Sequence, residues 1–200
     1  RKKYMLRLFL FALISEIPYD LVQFHTPFSL RLQNVMFTLT VGIYTLLAIR
    51  WALERPEVEP DRLSLFGTSQ GGGGSLLLGS ILGRERVRCV CADLPFLTDF
   101  PHTGLRGEAY GLLRPVREQL EPEVFWRRLG FVDTLSHAHR LAMPVMLSAG
   151  GADDTCPPAT VEALFARLPG TKQYTYLEHQ EHTHSRSSMV LFGAWLHLYG

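Results

Sequence analysis

One stretch of the chain leaves few folds open. Apolar Leu63-Ser64-Leu65-Phe66 runs into Gly67-Thr68-Ser69-Gln70-Gly71, and small residues Gly72-Gly73-Gly74-Ser75 then lead to Leu76-Leu77-Leu78. A strand that turns sharply into a helix lifts the residue at the turn clear of the backbone, and Gly-x-Ser-x-Gly is the spacing that lets a serine sit there. A strand is therefore expected over Leu63–Phe66 and a helix over Gly72–Leu82. Each glycine inside that helix costs about 1 kcal/mol relative to alanine, which points to a need for close packing. Ser69 is the expected nucleophile. An unassisted alcohol attacks poorly, so the chain must supply a base to take its proton and an acid to hold that base. Acyl-ester hydrolysis is the chemistry to which this arrangement points.

The rest of the pattern alternates strands with helices. Val87–Ala92 reads as a strand ended by Asp93 and Pro95, and Pro144 introduces another, Val145–Ala149. Val161, Leu164, Phe165 and Leu168 form an apolar helical stripe. Lys172–Leu177 reads as an edge strand, and Ser188–Tyr199 has apolar positions at helical spacing. The expected fold is α/β, with a mostly parallel sheet flanked by helices. Residues 101–142 read as an irregular insertion with helical pieces at Val116–Leu120, Val124–Leu129 and Leu135–Leu141, forming either a lid over a cleft or ordinary peripheral helices. Glycines 71–74 lack the spacing of a phosphate cradle, and no dinucleotide fingerprint is present.

A partner for Ser69 is expected from a later strand end, where open α/β folds place site residues. Val145–Ala149 leads directly into Gly150-Gly151-Ala152-Asp153-Asp154. Asp153 is the favoured acid, against a purely structural Asx-turn role, and Asp154 is its rival. Three histidines, His179, His182 and His184, follow the last strand, and spacing alone does not choose the base among them. The order Ser69, Asp153, His182 is the order of α/β-hydrolases. Zinc on His179, Glu181, His182 and His184 is the weaker reading, because no H-E-x-x-H spacing is present. No metal or cofactor is expected.

Two hundred residues suffice for a substantial core, and a formal charge of +1 offers no basic excess for a phosphate backbone, so nucleic acid is not an expected partner. The three cysteines lack metal-ligand spacing and are expected to pack in a reducing compartment, with Cys89 and Cys91 on opposite faces of one strand. A cytoplasmic location follows, with membrane association through residues 4–48 as the alternative. Residues 1–14 join a basic start to an apolar run, but no small-residue cleavage site follows. The nineteen positions 35–53 are almost uninterruptedly apolar and approach the length that crosses a bilayer. Residues 4–48 read as a membrane-derived segment, as buried helices, or as an artefact of joining two genes. Residues 44–55 are expected to be helical, with Tyr44, Leu47, Ala48 and Trp51 on one face and Pro56 as the stop.

Residues 45–200 resemble the carboxyl-terminal part of the acetyl xylan esterase and cephalosporin-C deacetylase family. The resemblance is carried by Pro56-Glu57-Val58-Glu59-Pro60-Asp61-Arg62, Gly67–Gly73, Ala92-Asp93-Leu94-Pro95-Phe96-Leu97, and Asp153 with Cys156-Pro157-Pro158-Ala159-Thr160. It implies a partial α/β-hydrolase domain over 44–200. It also implies that Ser69 is the nucleophile, Asp153 the acid and the Gln70 backbone N–H an oxyanion donor. Ungapped counting from Pro169-Gly170-Thr171-Lys172 makes His182 the base, whereas a shorter loop makes it His179. The flanking residues Glu181 and Thr183 depart from the family's usual glycine or asparagine before the histidine and glutamate after it. The implied substrates are acetylated xylo-oligosaccharides or other short-chain esters, and the implied assembly is a homo-oligomer. The second oxyanion donor is expected from an earlier part of the family's fold, so activity lost by truncation belongs to the same reading.

Residues 2–43 resemble a segment of the TraX-like membrane family through Lys3-Tyr4-Met5-Leu6-Arg7, Phe11–Asp20 and Gln33–Leu39. A hydrophobic helical fragment over 1–43 is the expectation there. An inactive, esterase-derived or membrane-associated interaction protein is the alternative function.

Overall fold

The computed structural model describes residues 47, 50–60, 62–105, 110 and 113–200. The TraX-like fragment, the 43/44 boundary and all of the 4–48 segment except Leu47 lie outside the described residues. Among the described residues no helix is long and apolar enough to cross a membrane. The chain divides between Pro60 and Asp61 into two units.

In the first unit residues 50–53 are helical. Arg50 Nε donates to Glu54 Oε1 at 3.0 Å, one helical turn away, and the Arg55 guanidinium lies 4.5 Å from the centre of the Trp51 ring. The helix ends two residues short of the expected Arg55, because the residue before a proline is pushed out of helical geometry and the turn tightens ahead of Pro56.

The second unit is built on four parallel strands in spatial order β1-β2-β3-β4: β1 Leu63–Thr68, β2 Val87–Asp93, β3 Val145–Gly150 and β4 Lys172–Leu177. Parallel neighbours need crossovers, and α-helices supply them. Helix α1, Gln70–Leu82, joins β1 to β2. The long β2–β3 connection holds α2 Phe100–Thr103, α3 Arg114–Arg117, α4 Pro122–Leu129, α5 Thr134–His137 and a 3-10 turn, Ala138–Arg140. Helix α6, Pro158–Arg167, joins β3 to β4, and α7, Arg186–Tyr199, closes the unit.

Helices cover both sheet faces. One face carries the larger core, where Leu76 of α1, Val90, Ala92, Leu147 and Ala149 of the sheet, and Val161 and Leu164 of α6 are buried together. Cys91, Met146 and Phe192 form the core beneath α7. The central strands β2 and β3 are buried almost throughout, as strands covered on both faces must be. The cysteines depart from expectation in one respect: residues two apart on a strand share a face, and the thiols of Cys89 and Cys91 interact with each other. Both are buried, and neither is in a disulfide.

The insertion is more broken than its sequence pattern implies. Tyr110 is buried in an aromatic cluster, its ring centre 4.5 Å from Phe96 and 5.4 Å from Phe100, whereas Phe131 is exposed. Asp133 stitches this segment to the exit of β2. Its Oδ1 accepts from the N–H of Asp99 and Leu135, both at 2.9 Å, and its Oδ2 accepts from Phe100 N–H at 3.0 Å.

Candidate active site

Ser69 occupies the junction between β1 and α1 with φ 53° and ψ −118°, a backbone region costly for any residue with a Cβ. Neighbouring backbone holds it there. Ser69 N–H donates to Asp93 O at 2.8 Å, and Ser69 O accepts from Gly73 N–H at 3.0 Å and Phe96 N–H at 2.9 Å. The turn closes so tightly that a Cβ on Gly67 would overlap the backbone of Gly71, and one on Gly73 would overlap Phe96 O. Gly71, the last glycine of the motif, has open space where its Cβ would lie. The requirement for a small residue thus falls on Gly67 and Gly73. Ser69 is half-buried.

Asp153 lies just past the end of β3, in a turn that the loop after β4 closes from above. Gly151 N–H donates to Leu177 O at 2.8 Å, and Ala152 N–H to Gln180 O at 3.0 Å. Those two bonds carry the histidine-bearing loop onto the acid-bearing one. Asp153 is buried and Asp154 is exposed. Asp153 Oδ1 accepts from Thr155 N–H at 2.9 Å and Cys156 N–H at 2.7 Å, and its Oδ2 lies 2.8 Å from His182 Nδ1. The far nitrogen of that ring, His182 Nε2, lies 2.9 Å from Ser69 Oγ. One tautomer satisfies both contacts: Nδ1–H donates to Asp153, leaving Nε2 to accept the serine proton. The side chain of His182 is 25% exposed and that of Asp153 fully buried, so the ring forms the solvent-facing side of the pair.

Of the three candidate histidines, the structure brings His182 to Ser69 and Asp153. His179 is exposed, and His184 points to another carboxylate, with Nδ1 3.5 Å from Asp93 Oδ2. Gln70 is the first residue of α1, where helix N–H groups have no partner within the helix and face the turn.

Two contributors escape sequence reasoning. Asp93, at the end of β2, is buried and ties three strand ends together. Its Oδ1 accepts from Ser148 Oγ at 2.6 Å, its Oδ2 from Thr68 Oγ1 at 3.3 Å, and Ser148 Oγ in turn accepts from Leu94 N–H at 3.1 Å. Asp93 thereby links Thr68, the residue before Ser69, to Ser148 of β3, and its sequence signals are its place at a strand end and in the 92–97 segment that carries the family resemblance. Cys156 is the other. Its sulfur joins Asp153 and His182 in a cluster whose ligating atoms all lie within 4.8 Å of one another. Burial pushes its thiol pKa up, the Asp153 carboxylate adds to that rise, and a side-chain hydrogen bond with Ser69 opposes it. The metal set weighed from sequence, His179, Glu181, His182 and His184, does not assemble among the described residues; the cluster that does includes His182 alone of those four.

A parallel sheet with helices on both faces and a serine on a strand-to-helix elbow defines an α/β-hydrolase domain, here a partial one of four strands. The chain belongs to the acetyl xylan esterase family: the family model described as "Acetyl xylan esterase (AXE1)" matches residues 34–192. A second model, "TraX protein", matches residues 1–56. Acetyl xylan esterase 1 from Thermoanaerobacterium sp. JW/SL YS485 superposes with a TM-score of 0.70 at 29% identity, covering 82% of this chain and 54% of that one. The acetyl xylan esterase from Paenibacillus sp. R4 gives 0.73 at 22% identity, with the same 82% and 54% coverage. Acetyl esterase Axe7A from Xylanibacter ruminicola is 24% identical over 150 residues, which is 74% of this chain and 34% of that protein. The chain thus spans 34% to 54% of the length of these relatives.

Proposed function

We propose that this chain is a serine carboxylic-ester hydrolase that removes acetyl groups from xylo-oligosaccharides or related small esters through an acyl-serine intermediate. The observation that carries the reading is the position of the His182 ring, 2.9 Å from the elbow serine through one nitrogen and 2.8 Å from a buried carboxylate through the other. In the first half-reaction His182 Nε2 takes the proton from Ser69 Oγ as the oxygen attacks the acetyl carbonyl. Asp153 holds the ring in place and stabilises the imidazolium that forms. The tetrahedral oxyanion is met by Gln70 N–H at the head of α1, and the proton on Nε2 passes to the departing sugar alcohol. Water then attacks the acetyl-enzyme with His182 again as base, and Ser69 is regenerated.

Acetylated carbohydrate is the substrate class that the names of the relatives, acetyl xylan esterase and acetyl esterase, suggest. By the resemblance, the second oxyanion donor and the contacts of a homo-oligomer belong to parts of the family's fold beyond the 34% to 54% of the relatives' length that this chain spans. The deciding experiment is mass-spectrometric detection of acylated Ser69 after mixing the folded chain with a small activated acetyl ester. The expected result is one acetyl group per chain on the peptide that contains Ser69, and none in Ser69→Ala. A folded chain that acquires no acetyl group is an esterase-derived protein without turnover, and the interaction role takes its place.

A further inference from the structure

We infer that Asp153, Cys156 and His182 form a binding site for a thiophilic divalent cation such as Zn2+, and that occupancy switches off the hydrolysis proposed above, on which the inhibitory part rests. A thiolate, an imidazole and a carboxylate are the three ligand types that zinc prefers, and one ligating atom from each lies within 4.8 Å of the other two. Two of the three are already fixed. Asp153 and Cys156 are both buried, and a hydrogen bond from Cys156 N–H to Asp153 Oδ1 at 2.7 Å locks their backbone relation. His182 is the partly exposed member, so an ion arriving from solvent meets the imidazole first. On binding, the Cys156 thiol proton leaves to solvent and a sulfur–metal bond forms as the hydrated ion gives up waters.

Either ring nitrogen produces the same functional outcome. Coordination through Nδ1 replaces the contact with Asp153, and coordination through Nε2 replaces the contact with Ser69. In both cases the proton path between serine and carboxylate is broken. None of this follows from ligand spacing in the chain. Asp153 and Cys156 lie on the turn after β3 and His182 on the loop after β4, so the set exists only once those loops close.

The test uses the full chain and reads binding apart from turnover. Titration with Co2+ is expected to produce the thiolate-to-cobalt charge-transfer band at one equivalent. Calorimetry with Zn2+ is expected to show one matching site, weakened by about tenfold or more in Cys156→Ser and Cys156→Ala. Zinc should also suppress ester turnover in the parent chain, reversibly with chelator, with each variant's sensitivity measured against its own metal-free rate. The absence of a charge-transfer band in the folded parent overturns the site. So does zinc affinity that is unchanged in both Cys156 variants but lost in His179→Ala or His184→Ala. A chain that binds cobalt through sulfur but hydrolyses no ester keeps the binding site and sinks the proposed function together with the inhibition that rests on it.

Discussion

Asp153 divides its two carboxylate oxygens between two tasks, and the division can be tested. Oδ1 organises the turn through Thr155 and Cys156, and Oδ2 faces His182. In Asp153→Asn the amide oxygen can keep the turn while its NH2 group meets Nδ1, which reverses the tautomer and points Nε2–H at the serine. Turnover of a small activated ester should then fall by about four orders of magnitude with the urea midpoint little changed. Asp153→Ala should lose both. His182→Ala should lower kcat by about a thousandfold or more, whereas His179→Ala should stay within a factor of a few. The reverse ranking in steady-state assays would move the base to His179. Sequence could nominate Ser69 and Asp153 because each follows an apolar strand, a local pattern. The histidines share one polar loop, so the choice among them is made by Gly151 and Ala152, whose N–H groups bind that loop at Leu177 and Gln180.

At the scale of the element, the elbow shows how unevenly a motif distributes its constraints. Gly71 is a motif residue with open space at its Cβ position, while Gly73, outside the motif, sits against Phe96 O. Gly71→Ala is expected to be neutral or to stabilise α1 by up to about 1 kcal/mol. Gly73→Ala must push the 94–97 loop away and should cost about 1–3 kcal/mol in denaturant unfolding, along with acylation. That loop is already strained, with Leu94, Leu97 and Asp99 at positive φ. It is held by Ser148 at one end and Asp133 at the other. Asp133→Ala leaves the N–H groups of Asp99, Phe100 and Leu135 without their acceptor, so about 3 kcal/mol of stability should go in the same measurement. Strand and helix positions were legible in the sequence because apolar periodicity is local. Between residues 100 and 140 the expected pieces Val124–Leu129 and Leu135–Leu141 fall on α4 and on α5 with its 3-10 turn, whereas α2 and the ends of these pieces were not legible, because a buried carboxylate and an aromatic cluster from distant positions set them.

Over the whole molecule, a four-stranded sheet carries the Ser69, Asp153 and His182 cluster in a chain that spans 34% to 54% of the length of its relatives. Strand β1 forms one end of this sheet, and among the described residues no strand pairs with its outer edge. Phe66 on that strand is 39% exposed despite its ring contact with Phe192 of α7. A small sheet has little stability to spare. Leu147, fully buried in β3, should cost about 2–5 kcal/mol when replaced by alanine, a large share of the roughly 5–15 kcal/mol that holds a typical domain. Calorimetric unfolding of Leu147→Ala would check this, with a loss below 1 kcal/mol marking a core that collapses around the gap. From the order of residues alone came the parallel α/β plan, the serine turn and the acid at a strand end, since each is written in a few adjacent positions. Three things waited on the tertiary structure: which imidazole meets the serine, the bonds of Asp93 beneath the elbow, and the approach of Cys156 to Asp153 and His182. They depend on loops from different strand ends closing over one another, and contact between residues far apart in the chain has no spacing to be read.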